Sequence, residues 1–189
     1  MHSVAGDVRA AARTSPANPA LHEHAMESAT QHAPTVKIYR GTREIGGTCV
    51  ELTADNGKVL WVDLGVPLDS TNPDIDYAQN KFDALLISHP HQDHFGLMEK
   101  VGTTVPIFIG ELSLDLINAT KIFMGIPQLN ANFKTIRPWE SFTIADTFRV
   151  KPFLTDHSTP EAFAFLIEAD GKRRFQSDRK KKYRLQKAN

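Results

Sequence analysis

The sequence predicts a mixed α/β fold, and two observations carry that prediction. Short runs rich in β-branched and aromatic residues recur between turn signals, and two segments between them have helical spacing. At 189 residues, the chain has the length of one domain of ordinary size. We therefore expect one compact unit in which strands outnumber helices.

The beginning of the chain differs in composition from the rest. Residues 1–34 are rich in Ala, Ser, Thr, Pro and His, and Pro16 and Pro19 interrupt any periodic pattern. This composition predicts a disordered leader over 1–34. Asp7 breaks up any apolar stretch of the kind that a secretory signal needs, whereas Arg9 among alanines leaves a transit peptide as the alternative.

The first structured elements are predicted as short strands. They cover residues 36–39, 48–52 and 59–62. Asn56-Gly57 lies between the last two, and this dipeptide between apolar runs indicates a hairpin. An uninterrupted apolar run at 84–87 is typical of a strand buried on both faces.

The remaining elements alternate between helix and strand and then become mostly strands. We predict a short helix over 94–101, a strand over 105–109, a helix over 111–123, and strands over 142–144, 148–154 and 162–167. In the second helix, Leu112, Leu116 and Ile117 are expected to share the apolar side. Asp170-Gly171 predicts a turn into a last strand around 174–175.

Potential metal ligands follow the buried strand directly, in the segment His89-Pro90-His91-Gln92-Asp93-His94. His89 and His91 are two positions apart, so in an extended segment their rings point to the same side and can bind one ion. Asp93 and His94 then lie where the chain turns into a helix and can hold a second ion. Imidazole and carboxylate ligands suit zinc first, then iron or manganese. The sequence therefore predicts a site for one or two Zn²⁺ ions.

Composition excludes several other classes. Lys plus Arg equals Asp plus Glu at 22 each, so no overall positive field attracts nucleic acid. Cys49 is the only cysteine, which excludes a disulfide within the chain, suits a reducing cytoplasm, and indicates a small buried residue. No apolar run approaches the roughly 20 residues needed to span a bilayer, so we expect a cytoplasmic protein with no membrane partner.

The segment His89-x-His91-x-Asp93-His94 resembles the signature of the metallo-beta-lactamase fold hydrolases. Two further segments are similar to motifs of that family: 62–65 around Asp63, and 156–162 around His157. The resemblance implies an αββα sandwich, with His157 as the third histidine of the first metal site. It also implies that Asp63 positions the ligand loop. Apart from the resemblance, Asp63 also fits an ordinary turn at a strand end.

Within this superfamily, the opening Glu44-Ile45-Gly46-Gly47 and the segment at 156–160 look most like the ribonuclease J branch. The likeness covers residues 36–175. It implies RNA or another phosphodiester as substrate. The fold also hosts hydrolases of carbonyl substrates such as esters, thioesters and lactams, which remain an alternative.

The chain departs from the family pattern near its end. The family has a Gly-Asp turn whose Asp bridges two metals, whereas this chain has Asp178 without a preceding glycine. Asp178 is therefore either the bridging ligand or a surface residue. Residues 179–189 form a basic tail, so we expect a partial metallo-beta-lactamase domain over 35–178 with only its N-terminal half complete. A truncated product and a split enzyme both fit this pattern.

Two consequences follow from a partial domain. An uncovered sheet would expose apolar surface and favour self-association or a partner that covers it. The second metal site would lack a ligand, so the first should bind more tightly.

If the site assembles, zinc would activate water for hydrolysis, and Asp93 would orient that water and shuttle its proton. Two alternatives without catalysis remain: an inactive metal-binding remnant, and a module that binds RNA through 179–187.

Overall fold

The computed structural model describes residues 34–41, 46–68 and 81–176. The predicted leader and basic tail, together with Glu44, Ile45 and Asp178, lie outside the described residues. The predictions made for them stay predictions.

The first sheet has six strands in the order in which they occur along the chain. They are β1 Thr35–Arg40, β2 Cys49–Thr53, β3 Val59–Val62, β4 Ala84–Leu86, β5 Pro106–Gly110 and β6 Asn132–Ile136. β1 to β3 pair antiparallel, and β3 to β6 pair parallel. The predicted hairpin at Asn56-Gly57 is confirmed, with Gly57 at φ +78°. Sequence reasoning missed β6.

The helices differ from expectation in extent and in orientation. The predicted helix over 94–101 is instead the short α1, Gln92–Phe95, followed by a 3₁₀ turn at Met98–Lys100. The helical hydrogen-bond pattern of α1 ends because the Leu97 amide donates to the Leu64 carbonyl, at 3.0 Å, and not to a carbonyl of α1. α2, Glu111–Phe123, has the predicted bounds.

The predicted apolar side of α2 is wrong in part. Ile117 is buried, but Leu112 and Leu116 are 54% and 43% exposed. Ser113 is buried in their place because the start of α2 packs closely against the second sheet's loop at Glu161.

The second sheet has four antiparallel strands in the order β10-β9-β8-β7. They are β7 Phe142–Ile144, β8 Phe148–Leu154, β9 Phe163–Ala169 and β10 Lys172–Gln176. The predicted Asp170-Gly171 turn joins β9 to β10, with φ values of +50° and +68°. Two consecutive left-handed residues are what a tight two-residue hairpin requires.

Two clusters of buried side chains organise these layers. One lies between the sheets and contains Phe148 and Phe165, and the other lies between the first sheet and the helices and contains Trp61. Burying a large apolar side chain stabilises a fold by about 1.5–3 kcal/mol. Cys49 belongs to the second cluster, and burial, followed by the charge of Asp63, raises the pKa of its thiol to about 12. The prediction of a small buried cysteine is confirmed.

The outer face of the second sheet combines charged and apolar side chains. Arg149 pairs across the strands with Glu168, and Lys151 pairs with Leu166, which is half-buried together with Phe153. On this face, the apolar surface expected from the sequence is therefore interspersed with charged side chains. Self-association through it stays a prediction.

The described residues form three layers of the predicted αββα sandwich: helices, first sheet and second sheet. None of the described helices has the length and apolar character needed to cross a bilayer.

Candidate metal centre

The candidate site lies where two neighbouring parallel strands end. β3 leads into Asp63, and β4 leads through Ile87 to Ser88 and His89. Because carboxyl ends of parallel strands meet at the same edge of a sheet, these residues converge. The Asp63 amide donates to the Leu86 carbonyl at 2.9 Å, which continues the pairing past the end of β3.

The segment after β3 is joined to the ligand segment through its backbone. The Leu64 amide donates to the His94 carbonyl at 2.7 Å, and the Thr48 amide donates to the Asp93 carbonyl at 2.9 Å. Gly65 permits this approach, because a Cβ there would lie 1.7 Å from the Asp93 carbonyl oxygen. The position of the ligand segment is therefore set by backbone contacts that only glycine allows.

A buried carboxylate organises the side chains at this edge. Asp63 is fully buried; its Oδ1 accepts from the Ser88 amide at 2.8 Å, and its Oδ2 accepts from the Ser88 hydroxyl at 2.8 Å. Oδ2 also lies 2.8 Å from Nδ1 of the buried His94. An ionised carboxylate only accepts hydrogen bonds, so His94 carries its proton on Nδ1.

The ring of His89 is oriented in the same way, by a hydrogen bond to its Nδ1. Its Nδ1 lies 2.9 Å from the Ser88 hydroxyl, which already donates to Asp63 and therefore accepts from His89. The lone pair of His89 is then on Nε2. Burial first, and then the neighbouring charges of His94, His157 and His91, lower the pKa of His89 to about 2. His89 is therefore neutral at physiological pH.

Three histidines converge on one point. Nε2 of His89 lies 3.0 Å from Nε2 of His157, and one ligand atom from each of His89, His91 and His157 lies within 4.8 Å of the others. The rings of His89 and His91, which are two positions apart in the chain, are centred 4.8 Å apart and so converge on the same side. The structure thus brings together the three residues predicted for the first metal site.

The donor set fits a divalent transition metal. Nitrogens bound to zinc at 2.0–2.1 Å in tetrahedral geometry lie about 3.3 Å apart, close to the separation of His89 and His157. A buried histidine held neutral, with its second nitrogen hydrogen-bonded, is the usual state of a zinc ligand. The residues therefore fit Zn²⁺.

His157 reaches the site from the loop between β8 and β9. The Thr155 amide donates to the Ala162 carbonyl at 2.9 Å, which closes the loop. The Phe163 amide donates to the Ser88 carbonyl at 3.0 Å, which ties the loop to the residue before His89.

The ligands predicted for a second ion are partly in place. Oδ2 of Asp93, which is half-buried, lies 3.6 Å from Nε2 of His94. The His94 ring is centred 4.0 Å from that of His89. Asp178 lies outside the described residues, so its role as a bridging ligand stays a prediction.

Ser88 is a residue of the candidate site that was not predicted from the sequence. It joins Asp63 to His89 at a buried position, and no pattern marks it except its place between a buried strand and the first histidine.

A cavity of about 570 Å³ opens beside one of these histidines, His91. His91 lines it together with Gln92, and apolar side chains of α1 and α2 form much of its wall. Lys121 pairs with Glu99 at its border, so the positive charge there is compensated. The cavity has room for a substrate group next to His91.

These features agree with the comparison of the whole chain with known families. A family model described as a beta-lactamase superfamily domain matches residues 64–176, which is more than half of the chain. The chain belongs to the beta-lactamase superfamily. Its fold is the metallo-beta-lactamase fold that the sequence predicts.

Two curated relatives carry ribonuclease names. The chain is 29% identical over 150 residues to an "RNase J-like protein" of Methanocaldococcus jannaschii, covering 73% of this chain and 34% of that protein. It is 36% identical over 86 residues to a "Probable RNase MJ4" of the same organism, covering 42% of this chain and 20% of that protein. The chain spans about a third or less of the length of these relatives.

One solved structure supports the fold alone. A protein of unknown function from Enterococcus faecalis V583 superposes with a TM-score of 0.63 at 16% identity, covering 75% of this chain and 42% of that chain.

Proposed function

We propose that this chain is a zinc-dependent hydrolase that acts on RNA or another phosphodiester. The observation that carries the proposal is the convergence of His89, His91 and His157 within 4.8 Å at the end of the first sheet. Iron or manganese would suit the same ligands less well.

In this proposal, the chain's own residues have distinct tasks. The three histidines hold the ion, and Asp63 acts through Ser88 to keep Nε2 of His89 free for it. When bound, the ion supplies Lewis acidity that makes water a nucleophile at neutral pH. Asp93 is a half-buried carboxylate next to the site, suited to orient that water and accept its proton.

A second ion would be held by Asp93, His94 and Asp178. Asp93 and His94 are neighbours in the structure, but the three-histidine group is more complete among the described residues. The first site is therefore expected to bind more tightly than the second.

Two observations support a phosphodiester substrate. The curated relatives carry ribonuclease names. The cavity beside His91 has apolar walls and a compensated lysine, which suits an uncharged planar group such as a nucleobase next to the reacting phosphate. The same cavity also suits the acyl part of a carbonyl substrate, so a hydrolase of esters, thioesters or lactams is the second candidate.

The test is the metal content of the purified chain by elemental analysis, with hydrolysis of a generic phosphodiester followed in the same samples. His89→Ala and His157→Ala are expected to lose metal and turnover together. A chain with His22→Ala and His24→Ala is the matched control, since it loses histidines outside the predicted site and should keep both.

Other outcomes identify the alternatives. One metal per chain without turnover would make the chain an inactive metal-binding remnant. Turnover of a carbonyl substrate alone would assign the second candidate. RNA binding without metal, lost on deleting 179–187, would indicate an RNA-binding module. A chain that binds no metal would overturn the proposal.

A further inference from the structure

Glu161 is a partly buried glutamate that does not belong to the three-histidine group. It lies in the loop that carries His157, four positions further along the chain. Its Oε2 accepts a hydrogen bond from the Ser113 amide at 3.2 Å, across 48 positions of sequence. Ser113 is in the first turn of α2, so this contact joins the His157 loop to the helix layer.

The start of α2 is built to receive a carboxylate from elsewhere. The residue before the helix is Gly110, which has no side chain to cap the free amides of the first turn. A Cβ at Gly110 would lie 2.4 Å from Oε2 of Glu161 and 2.9 Å from the Phe163 ring. Glu161 therefore occupies the place of a capping side chain, where the partial positive charge of the helix favours an anion.

The backbone of Glu161 indicates that this contact has a cost. Its φ is +49°, in the left-handed region that favours glycine. A long side chain is strained there, and such strain is kept when the surrounding contacts require it. A glycine at this position would relieve the strain but could not accept the hydrogen bond from the Ser113 amide.

The loop has two attachments with different reach. At its base, Phe163 is bonded to Ser88 and Thr155 is bonded to Ala162. Those bonds fix the base of the loop. Glu161 directly precedes Ala162, so its carboxylate attaches the arm that runs from His157 back into β9 to the start of α2.

We propose that Glu161 is a positioning residue that holds His157 at its distance from His89 by docking the loop onto the start of α2. The inference rests on the proposed function, because it assumes that the three histidines bind zinc. Without the carboxylate, the loop keeps its ends but His157 samples positions too far from His89 to share an ion.

The experiment measures the dissociation constant for Zn²⁺ by competition with a chromophoric chelator, and the thermal midpoint of the metal-free chain. Glu161→Gly removes the carboxylate and relieves the left-handed strain, whereas Glu161→Gln keeps an oxygen that accepts from Ser113. We expect the dissociation constant to rise about tenfold or more in Glu161→Gly and less in Glu161→Gln. The thermal midpoint of Glu161→Gly should not fall.

This pattern separates positioning from a general structural role, because affinity changes while stability does not. Glu140→Gln is the matched control: Glu140 is exposed and distant in the chain, and its substitution should leave zinc affinity unchanged. The visible spectrum of Co²⁺-loaded protein should lose its tetrahedral bands in Glu161→Gly.

Two results would overturn the inference in different ways. If the unsubstituted chain binds zinc and Glu161→Gly binds it equally well, the positioning role is wrong and the proposed function stands. If the unsubstituted chain binds no zinc, the proposed function fails, and this inference fails with it.

Discussion

His89 and His157 meet at 3.0 Å, but they come from regions held in different ways. His89 follows a buried strand, and the segment behind it is joined to its neighbours by backbone hydrogen bonds and by the buried Asp63. His157 lies on a loop that is joined to the rest of the fold by backbone hydrogen bonds at its base and by a side-chain contact from Glu161. One side of the site is therefore built into the sheet, and the other is attached to it.

This difference suggests where the site is sensitive. Changes behind His89 should disturb the fold and the site together, because the same bonds serve both. Changes in the His157 loop should disturb the site more than the fold. Substitutions on the two sides of the site should therefore differ in how much stability they remove.

The largest loss of stability is expected where the backbone at Gly65 approaches the ligand segment most closely. Gly65→Ala places a Cβ 1.7 Å from the Asp93 carbonyl oxygen, so the two segments must separate. We expect a loss of about 3 kcal/mol or more in the free energy of unfolding, measured with urea. Gly102→Ala is the control, because the nearest atom to its Cβ would lie 3.9 Å away. Equal stability of the two variants would mean that the segment behind His89 is not held by this close backbone approach.

A loss of both stability and zinc affinity is expected at the buried carboxylate of Asp63. Asp63→Asn keeps the shape and tolerates the left-handed φ of +60°, but it directs an amide group at donors. We expect about 2 kcal/mol of destabilisation and a 10- to 100-fold loss of zinc affinity. Asp83→Asn, at a partly exposed ion pair with Lys58, should cost at most about 1 kcal/mol and leave zinc affinity unchanged. A zinc affinity unaffected by Asp63→Asn would contradict the positioning role of Asp63.

The stability of the metal-free chain is expected to depend on pH through His89. The folded-state pKa of His89 is lowered to about 2, so below about 6.5 the unfolded chain binds a proton that the folded chain does not. The contribution of neutral His89 to the free energy of unfolding is fully present above that pH and is lost as the pH falls toward 2. Between pH 7 and pH 5, the loss from this residue is at most about 2 kcal/mol.

Urea unfolding at pH 5, 6 and 7 in the presence of a chelator measures this slope. His89→Gln should flatten it, and an unchanged slope in that variant would assign the acid sensitivity to other groups.

The smallest effect is expected in the His157 loop. Thr155→Val removes the hydroxyl that donates to the Ala162 carbonyl at 3.1 Å but keeps the amide bond beside it. We expect less than about 1 kcal/mol of destabilisation by urea unfolding. A loss as large as that of Gly65→Ala would mean that the loop is built into the fold as firmly as the strand ends.

Local patterns were enough to predict most strands and the ligand segment. Asn56-Gly57 and Asp170-Gly171 are turn signals that act over two residues, and the spacing of His89 and His91 follows from an extended backbone. The resemblance added His157 and Asp63, which lie far from the ligand segment along the chain. The structure places His157 beside His89 and His91, and Asp63 beside His94.

Contacts between distant segments were not predictable from local patterns. The orientation of α2 was wrong because Ser113 is buried against a loop 48 positions away, which helical spacing does not register. Ser88 and Glu161 were missed for the same reason, since each acquires its role from partners brought together by the fold. β6 was missed because NFKTI alternates too weakly between polar and apolar residues.

The buried Cys49 makes local opening of the fold measurable by thiol labelling. Its thiol stays protonated because its pKa is about 12, and its side chain is inaccessible in the closed fold. Thiol reagents attack the thiolate, so modification must wait for β2 to come away from the layer that covers it. With one cysteine in the chain, the rate of labelling reports how often β2 separates from the side chains that cover Cys49.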